Sequence, residues 1–145
     1  MKEVYRKLIA DALAAKEKAY APYSKFRVGA ALLTESGEIF TGCNVENASY
    51  GLTNCAERTA VFKAVSEGHT KFKAIAVVTD LKQYASPCGA CRQVLAEFGS
   101  DIQVIMGDVA GNFFIKTSGE LLPYTFTNEQ LDQLADKDEK MITDS

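Results

Sequence analysis

The chain has no tryptophan, a single histidine and no run of lysine and arginine longer than a pair. Nowhere do about 18 apolar residues run together, the minimum for a membrane-spanning helix, so the sequence excludes such a span. The opening stretch MKEVYRKLIADALAAKEKAY is charged throughout and lacks the continuous apolar segment of a signal peptide. A cytoplasmic protein without a membrane partner is the expectation. The net charge of −3, from 19 acidic and 16 basic residues, supplies no long-range attraction to a polynucleotide or an anionic membrane. No nucleic-acid partner is therefore expected. The one histidine, His69, follows Gly68 in a polar turn and is assigned no role. Internal repeats and linkers are also missing. With 145 residues, the chain is expected to form one domain over 1–136, followed by a polar tail over 137–145.

What is present is an alternation of helical and strand-like segments. Val4, Tyr5, Leu8, Ile9, Ala12 and Leu13 recur at helical intervals over 4–16, and Pro22 closes that segment. RVGAALLT (27–34) and IFTGC (39–43) predict two strands joined by a turn at Ser36-Gly37. A polar loop over 44–54 leads to a helix over 55–68, with Thr53 and Asn54 as candidate N-caps and Gly68 as the stop. FKAIAVVTD (72–80) has the apolar character of a strand covered on both faces. A third helix is expected over 86–99, with Ser86 as N-cap and Pro87 as first helical residue. Strands over 102–107 and 112–117, a helical turn over 118–123 and a last helix from 128 to 136 complete the order. Interleaved helices and strands point to a three-layer α/β/α arrangement, one mixed sheet with helices on both faces.

The cysteines carry the chemistry. Cys88 and Cys91 stand three apart and share a helix face. Cys55 opens another helix, and in open α/β sheets such helix starts gather at one rim. The positive end of a helix dipole favours the thiolate that zinc requires. Three thiolate ligands with a fourth position open are the layout of a catalytic zinc centre. Glu57, two residues after Cys55, can lean over such a metal without ligating it and move the proton of its bound water. Zinc nucleobase deaminases carry a ligand-x-Glu pattern followed by P-C-x-x-C. Here the residues are Cys55-Ala56-Glu57 and Pro87-Cys88-Gly89-Ala90-Cys91, with Cys55 in place of the commoner histidine.

With these motifs, and with APYSKF, VGAALL, GCNVENASYG, NCAERTA and SPCGACRQ, the sequence resembles the cytidine deaminases, most closely their small all-cysteine homotetrameric members. The resemblance runs from Ala21 to Phe126. It implies a five-stranded mixed sheet with helices on both sides. It implies one zinc per chain, held by Cys55, Cys88 and Cys91, and hydrolytic deamination of cytidine and deoxycytidine. Zinc-bound hydroxide would attack ring carbon 4, with Glu57 as proton shuttle. By the same resemblance Phe26 stacks on the base, Ala56 offers its backbone N–H to the base carbonyl, and Asn44 and Glu46 bind the ribose hydroxyls. Phe126 would reach a neighbouring subunit's site, with Tyr50 at the same junction. The matching physiological role is pyrimidine salvage or catabolism, between which the sequence does not choose. Charge counting adds Arg58 and Arg92 as cationic partners for the sulfurs, because three thiolates on Zn²⁺ leave a net negative charge.

Other readings compete. Cys43 is expected to be a buried small residue, but with the other three cysteines it would complete a closed structural zinc site. Cys88-x-x-Cys91 alone would suit a redox pair, a scheme with no place for Cys55-Ala-Glu. The aminated substrate could instead be a base within RNA or DNA, or a cytosine-containing antibiotic. A binding protein without catalysis is the non-enzyme alternative.

Overall fold

The computed structural model describes residues 2–127. Helix α1 (Lys2–Lys16) is followed by strands β1 (Val28–Thr34) and β2 (Ile39–Cys43), a 3₁₀ turn (Tyr50–Leu52) and helix α2 (Ala56–Ser66). Strand β3 (Phe72–Thr79), helix α3 (Gly89–Phe98), strands β4 (Gln103–Gly107) and β5 (Phe113–Thr117) and a short helix α4 (Ser118–Leu121) follow. The expected helix over 128–136 lies outside the described residues. No helix among the described residues is long and apolar enough to cross a membrane.

The five strands form one mixed sheet in the order β2-β1-β3-β4-β5. Only β3 and β4 run parallel, the pairing that needs the helical crossover α3. Alternation along the strands divides the core. Ala31 of β1, Ala74 and Ala76 of β3 and Ile105 of β4 face α1, where Leu8, Ile9 and Ala12 cover them. Ala30, Leu32, Ile75 and Val104 face the other way, toward Ala60, Val61 and Ala64 of α2 and Leu95 of α3. Each of these fully buried leucines, isoleucines and valines contributes about 1.5–3 kcal/mol.

Two glycines set how closely the helices approach. A Cβ on Gly29 would stand 2.0 Å from the Ala12 carbonyl oxygen, and one on Gly42 would stand 2.5 Å from both the Ala56 oxygen and the Ala60 nitrogen. The second approach matters for function, because it seats the first turn of α2 against β2.

Helix starts differ from expectation. The N-cap of α2 is Cys55, not Thr53 or Asn54, and the N-cap of α3 is Cys88, not Ser86. Pro87 stands outside the helix. The Arg92 side chain explains this: its Nε donates to the Pro87 oxygen at 2.9 Å and its Nη2 to Ser86 Oγ at 2.8 Å, holding residues 86–87 ahead of the first turn.

Candidate metal centre and active site

Helices α2 and α3 begin side by side on one face of the sheet, and their caps bring three sulfurs together. Cys55 and Cys88 have extended backbones, and neither side chain caps its own helix. The sulfurs turn toward one another instead. Cys55 Sγ and Cys88 Sγ are 3.7 Å apart, Cys88 Sγ and Cys91 Sγ are 3.4 Å apart, and all three lie within 4.8 Å of each other. Zinc–sulfur bonds of about 2.3 Å at tetrahedral angles separate ligand sulfurs by about 3.8 Å. The donor set and its spacing therefore fit a zinc ion.

The protonation pattern agrees. A hydrogen bond from Cys91, with help from Arg58, lowers the Cys55 thiol to about 5 against the opposing effect of burial. The bond to Cys55, burial and the nearby Glu57 charge push Cys91 upward. Three adjacent thiols cannot all ionise unaided. A cation bound among the sulfurs would favour their ionisation. Arg58 supplies part of the compensation, donating from Nη2 to Cys55 Sγ at 3.3 Å.

Arg92 behaves differently from the sequence-based expectation. Besides Ser86 and Pro87, its guanidinium binds the Leu121 oxygen at 2.9 Å, so its bonds go to oxygens and not to a sulfur. It braces the loop ahead of α3 against α4. Cys43 is half-buried at the end of β2, paired with Gly29 and outside the sulfur cluster. The cluster thus gathers three thiols, Cys55, Cys88 and Cys91, and Cys43 is not among them.

Glu57 lies in the first turn of α2 and is 4% exposed. Burial, then the charge of Cys55, raises its carboxyl to about 6. It lines a cavity of about 350 Å³ together with Cys55, Cys88, Phe26 and Asn44. Asn44 is buried and holds the cavity wall: its Oδ1 accepts from Val28 N and its Nδ2 donates to the Phe26 oxygen, both at 2.8 Å. That leaves one amide hydrogen and one lone pair for a ligand. Ala56 is buried at the first position of α2, where a backbone N–H has no intrahelical partner.

Glu46, Tyr50 and Phe126 are not brought to this cavity within the chain. The Glu46 carboxylate accepts from the backbone N–H groups of Tyr23 and Ser24, each at 3.0 Å, and from the Ser24 hydroxyl, bonds that lower its pKa. Tyr50 is 87% exposed and Phe126 55% exposed. The Phe126 carbonyl accepts from Gln93 Nε2 at 2.9 Å. Sequence reasoning missed Val28, Thr79, Leu81 and Tyr84 on the cavity wall. Val28 and Thr79 meet only because β1 and β3 are neighbours, a pairing that no local signal announces.

Comparison with known proteins gives a consistent picture. Residues 2–107 match the family model for the cytidine and deoxycytidylate deaminase zinc-binding region. The chain is 54% identical over 132 residues to a cytidine deaminase of Sporosarcina psychrophila, covering 90% of this chain and 97% of that protein. It is 51% identical over 139 residues to a probable cytidine deaminase of Dictyostelium discoideum, covering 95% of this chain and 94% of that protein. Its fold matches the crystal structure of a cytidine deaminase from Burkholderia pseudomallei with a TM-score of 0.80 at 54% identity, covering 83% of this chain and 97% of that one.

Proposed function

The chain belongs to the cytidine and deoxycytidylate deaminase family, and from that premise we propose that it is a zinc-dependent hydrolase converting free cytidine, and deoxycytidine, to the uracil nucleoside and ammonia. The observation that carries the reading is the Glu57 carboxyl, buried beside the three-sulfur cluster in a cavity of about 350 Å³. Zinc, when bound by Cys55, Cys88 and Cys91, supplies a Lewis acid that makes water nucleophilic near neutral pH.

The chain's own residues do the rest. Glu57 takes a proton from water and delivers it to ring nitrogen 3 of the base. The water oxygen bonds to ring carbon 4, and Glu57 then carries that oxygen's remaining proton to the amino group, so that the C4–N bond breaks, ammonia leaves and a carbonyl remains at carbon 4. A carboxyl raised by burial suits both the accepting and the donating step. Phe26 stacks on the base, the Ala56 N–H meets the base carbonyl, and Asn44 and Glu46 orient the ribose hydroxyls. Arg58 offsets the excess negative charge of the sulfurs.

Assembly into a homotetramer, with Tyr50 and Phe126 entering a neighbour's site, belongs to the same proposal. Its support is the exposure of Tyr20, Tyr23, Tyr50, Leu52 and Phe126, large apolar side chains of the kind that subunit contacts cover. We place the catalytic domain over 1–136, and assign the enzyme to the cytoplasm and to pyrimidine salvage. The test is ammonia release from cytidine by the zinc-loaded protein. Release is expected from the wild-type chain and not from Glu57→Gln holding the same zinc. Undiminished release from that variant would remove Glu57 from the mechanism.

A further inference from the structure

Asp80 follows the last residue of β3 and has no part in the chemistry above. Its carboxylate nevertheless accepts four hydrogen bonds. Oδ1 takes one from Lys16 Nζ at 2.8 Å and one from Arg27 Nη2 at 3.0 Å. Oδ2 takes one from Arg27 Nε at 3.0 Å and one from the Arg27 backbone N–H at 3.1 Å. The two guanidinium bonds form a fork, the strongest geometry an arginine–carboxylate pair adopts. Glu17 holds the remaining Arg27 nitrogen at 2.8 Å. Lys16 is 7% exposed, and its ammonium is compensated by this carboxylate at 2.8 Å and, more distantly, by Glu17 at 3.8 Å.

The position of the pair gives it meaning. Val28 pairs with Thr79 across the β1–β3 ladder, so Arg27 and Asp80 extend the two strands one residue further. Side chains alternate across a strand. Phe26 and Val28, and likewise Thr79 and Leu81, line the cavity, whereas Arg27 and Asp80 do not. The ion pair stands behind the wall, on the α1 side. It also completes a run of backbone anchors. The Phe26 oxygen is held by Asn44, the Arg27 N–H by Asp80, and the Val28 N–H by Asn44. These anchors close the segment that joins α1 to β1, where Lys25 adopts a left-handed φ of 61°.

We propose that Asp80 is a positioning residue for the substrate: by holding the backbone and guanidinium of Arg27, it fixes Phe26 and Val28 against the base and sets nucleoside affinity without touching substrate or metal. The inference rests on the reading that the cavity takes a nucleoside with Phe26 on its base. A stacking contact is made equally in the ground state and the transition state. Its loss therefore raises KM and leaves kcat in place.

The experiment is steady-state ammonia release from cytidine by zinc-loaded wild-type, Asp80→Asn, Arg27→Ala, the double variant and Lys16→Met. Asp80→Asn and Arg27→Ala should each raise KM about tenfold with kcat within about twofold and zinc content unchanged. The double variant should be no worse than the singles, because both remove one interaction. Lys16→Met, which leaves every Arg27 bond intact, should keep KM within about twofold of wild type. The proposal is overturned by an unchanged KM in Asp80→Asn, by kcat and zinc content falling together, or by Lys16→Met raising KM as much as Asp80→Asn does. If Asp80→Asn does not fold, Arg27→Lys, which keeps the charge and loses the fork, is read by the same criteria. Wild-type ammonia release judges the functional reading, and the variant-to-wild-type ratio judges Asp80. Should the wild-type chain bind cytidine without deaminating it, the same ratio is taken from calorimetric dissociation constants.

Discussion

Arg58 donates to the sulfur of Cys55 at 3.3 Å from one end of its guanidinium, while its Nε lies buried without a hydrogen-bond partner among the described residues. A buried donor left unmatched is costly, and the arrangement persists because the sulfur cluster draws positive charge toward it. Arg58→Ala should bind zinc about ten- to a hundredfold more weakly, the usual effect of removing a group that supports a metal ligand. Competition with a chelator measures this directly, and unchanged affinity would confine Arg58 to packing.

Zinc removal should destabilise as well as inactivate. Two of the ligands are the caps of α2 and α3, so the ion ties two helix starts together, and a ligand that binds only the folded state raises its stability. Chelation should lower Tm and abolish ammonia release, and added zinc should restore both. A Tm indifferent to the metal would mean that the helices are held in place without it.

Cys43→Ala should retain one zinc per chain with wild-type affinity. Cys43 belongs to the edge strand β2, outside the sulfur cluster. Metal analysis after dialysis decides the matter, and loss of zinc would return Cys43 to the ligand set.

Gly42→Ala should cost about 1–3 kcal/mol, the range for forcing extra atoms into a packed contact. The new methyl would meet backbone atoms of Ala56 and Ala60, which cannot rotate away. Because Ala56 stands between Cys55 and Glu57, activity should fall with stability. Thermal melts and ammonia release read the two effects, and a variant as stable as wild type would show that α2 can retreat freely from β2.

Acid should erase the stabilising effect of Asp80. Arg27 first, and then Lys16, hold its carboxyl well below the usual carboxylate range. A group whose folded-state pKa is depressed stabilises above its unfolded value, about 3.9, and loses that contribution as pH falls toward the folded value. The Tm difference between wild type and Asp80→Asn should therefore be constant from pH 7 to about 5 and shrink below about 4. A gap that widens in acid would contradict the assignment.

Much of this protein is legible before it is folded. The apolar periodicity of residues 4–16 places α1, and the apolar runs VGAALLT, ahead of the Ser36-Gly37 turn, and FKAIAVVT place β1 and β3 to within a residue or two. The spacing of Cys55, Glu57, Cys88 and Cys91 carries the zinc and deaminase chemistry, because ligand type and helix-start position are local properties. The N-caps were less legible. Ser86 and Thr53 have the right chemistry to cap, but a side chain of Arg92 six residues along the chain from Ser86 takes the first of these out of the helix.

The sequence by itself determined which residues supply sulfur, carboxylate and helix, since these depend on residue identity and on intervals of two to four along one chain. Only the tertiary structure decided that Cys55 meets Cys88 across 33 positions, that Cys43 stays away from them, and that Asp80 grips Arg27 from 53 positions off. The reason is physical. These contacts depend on strand order and on how near a helix can come to the sheet, and both are settled by the packing of two cores rather than by any local preference.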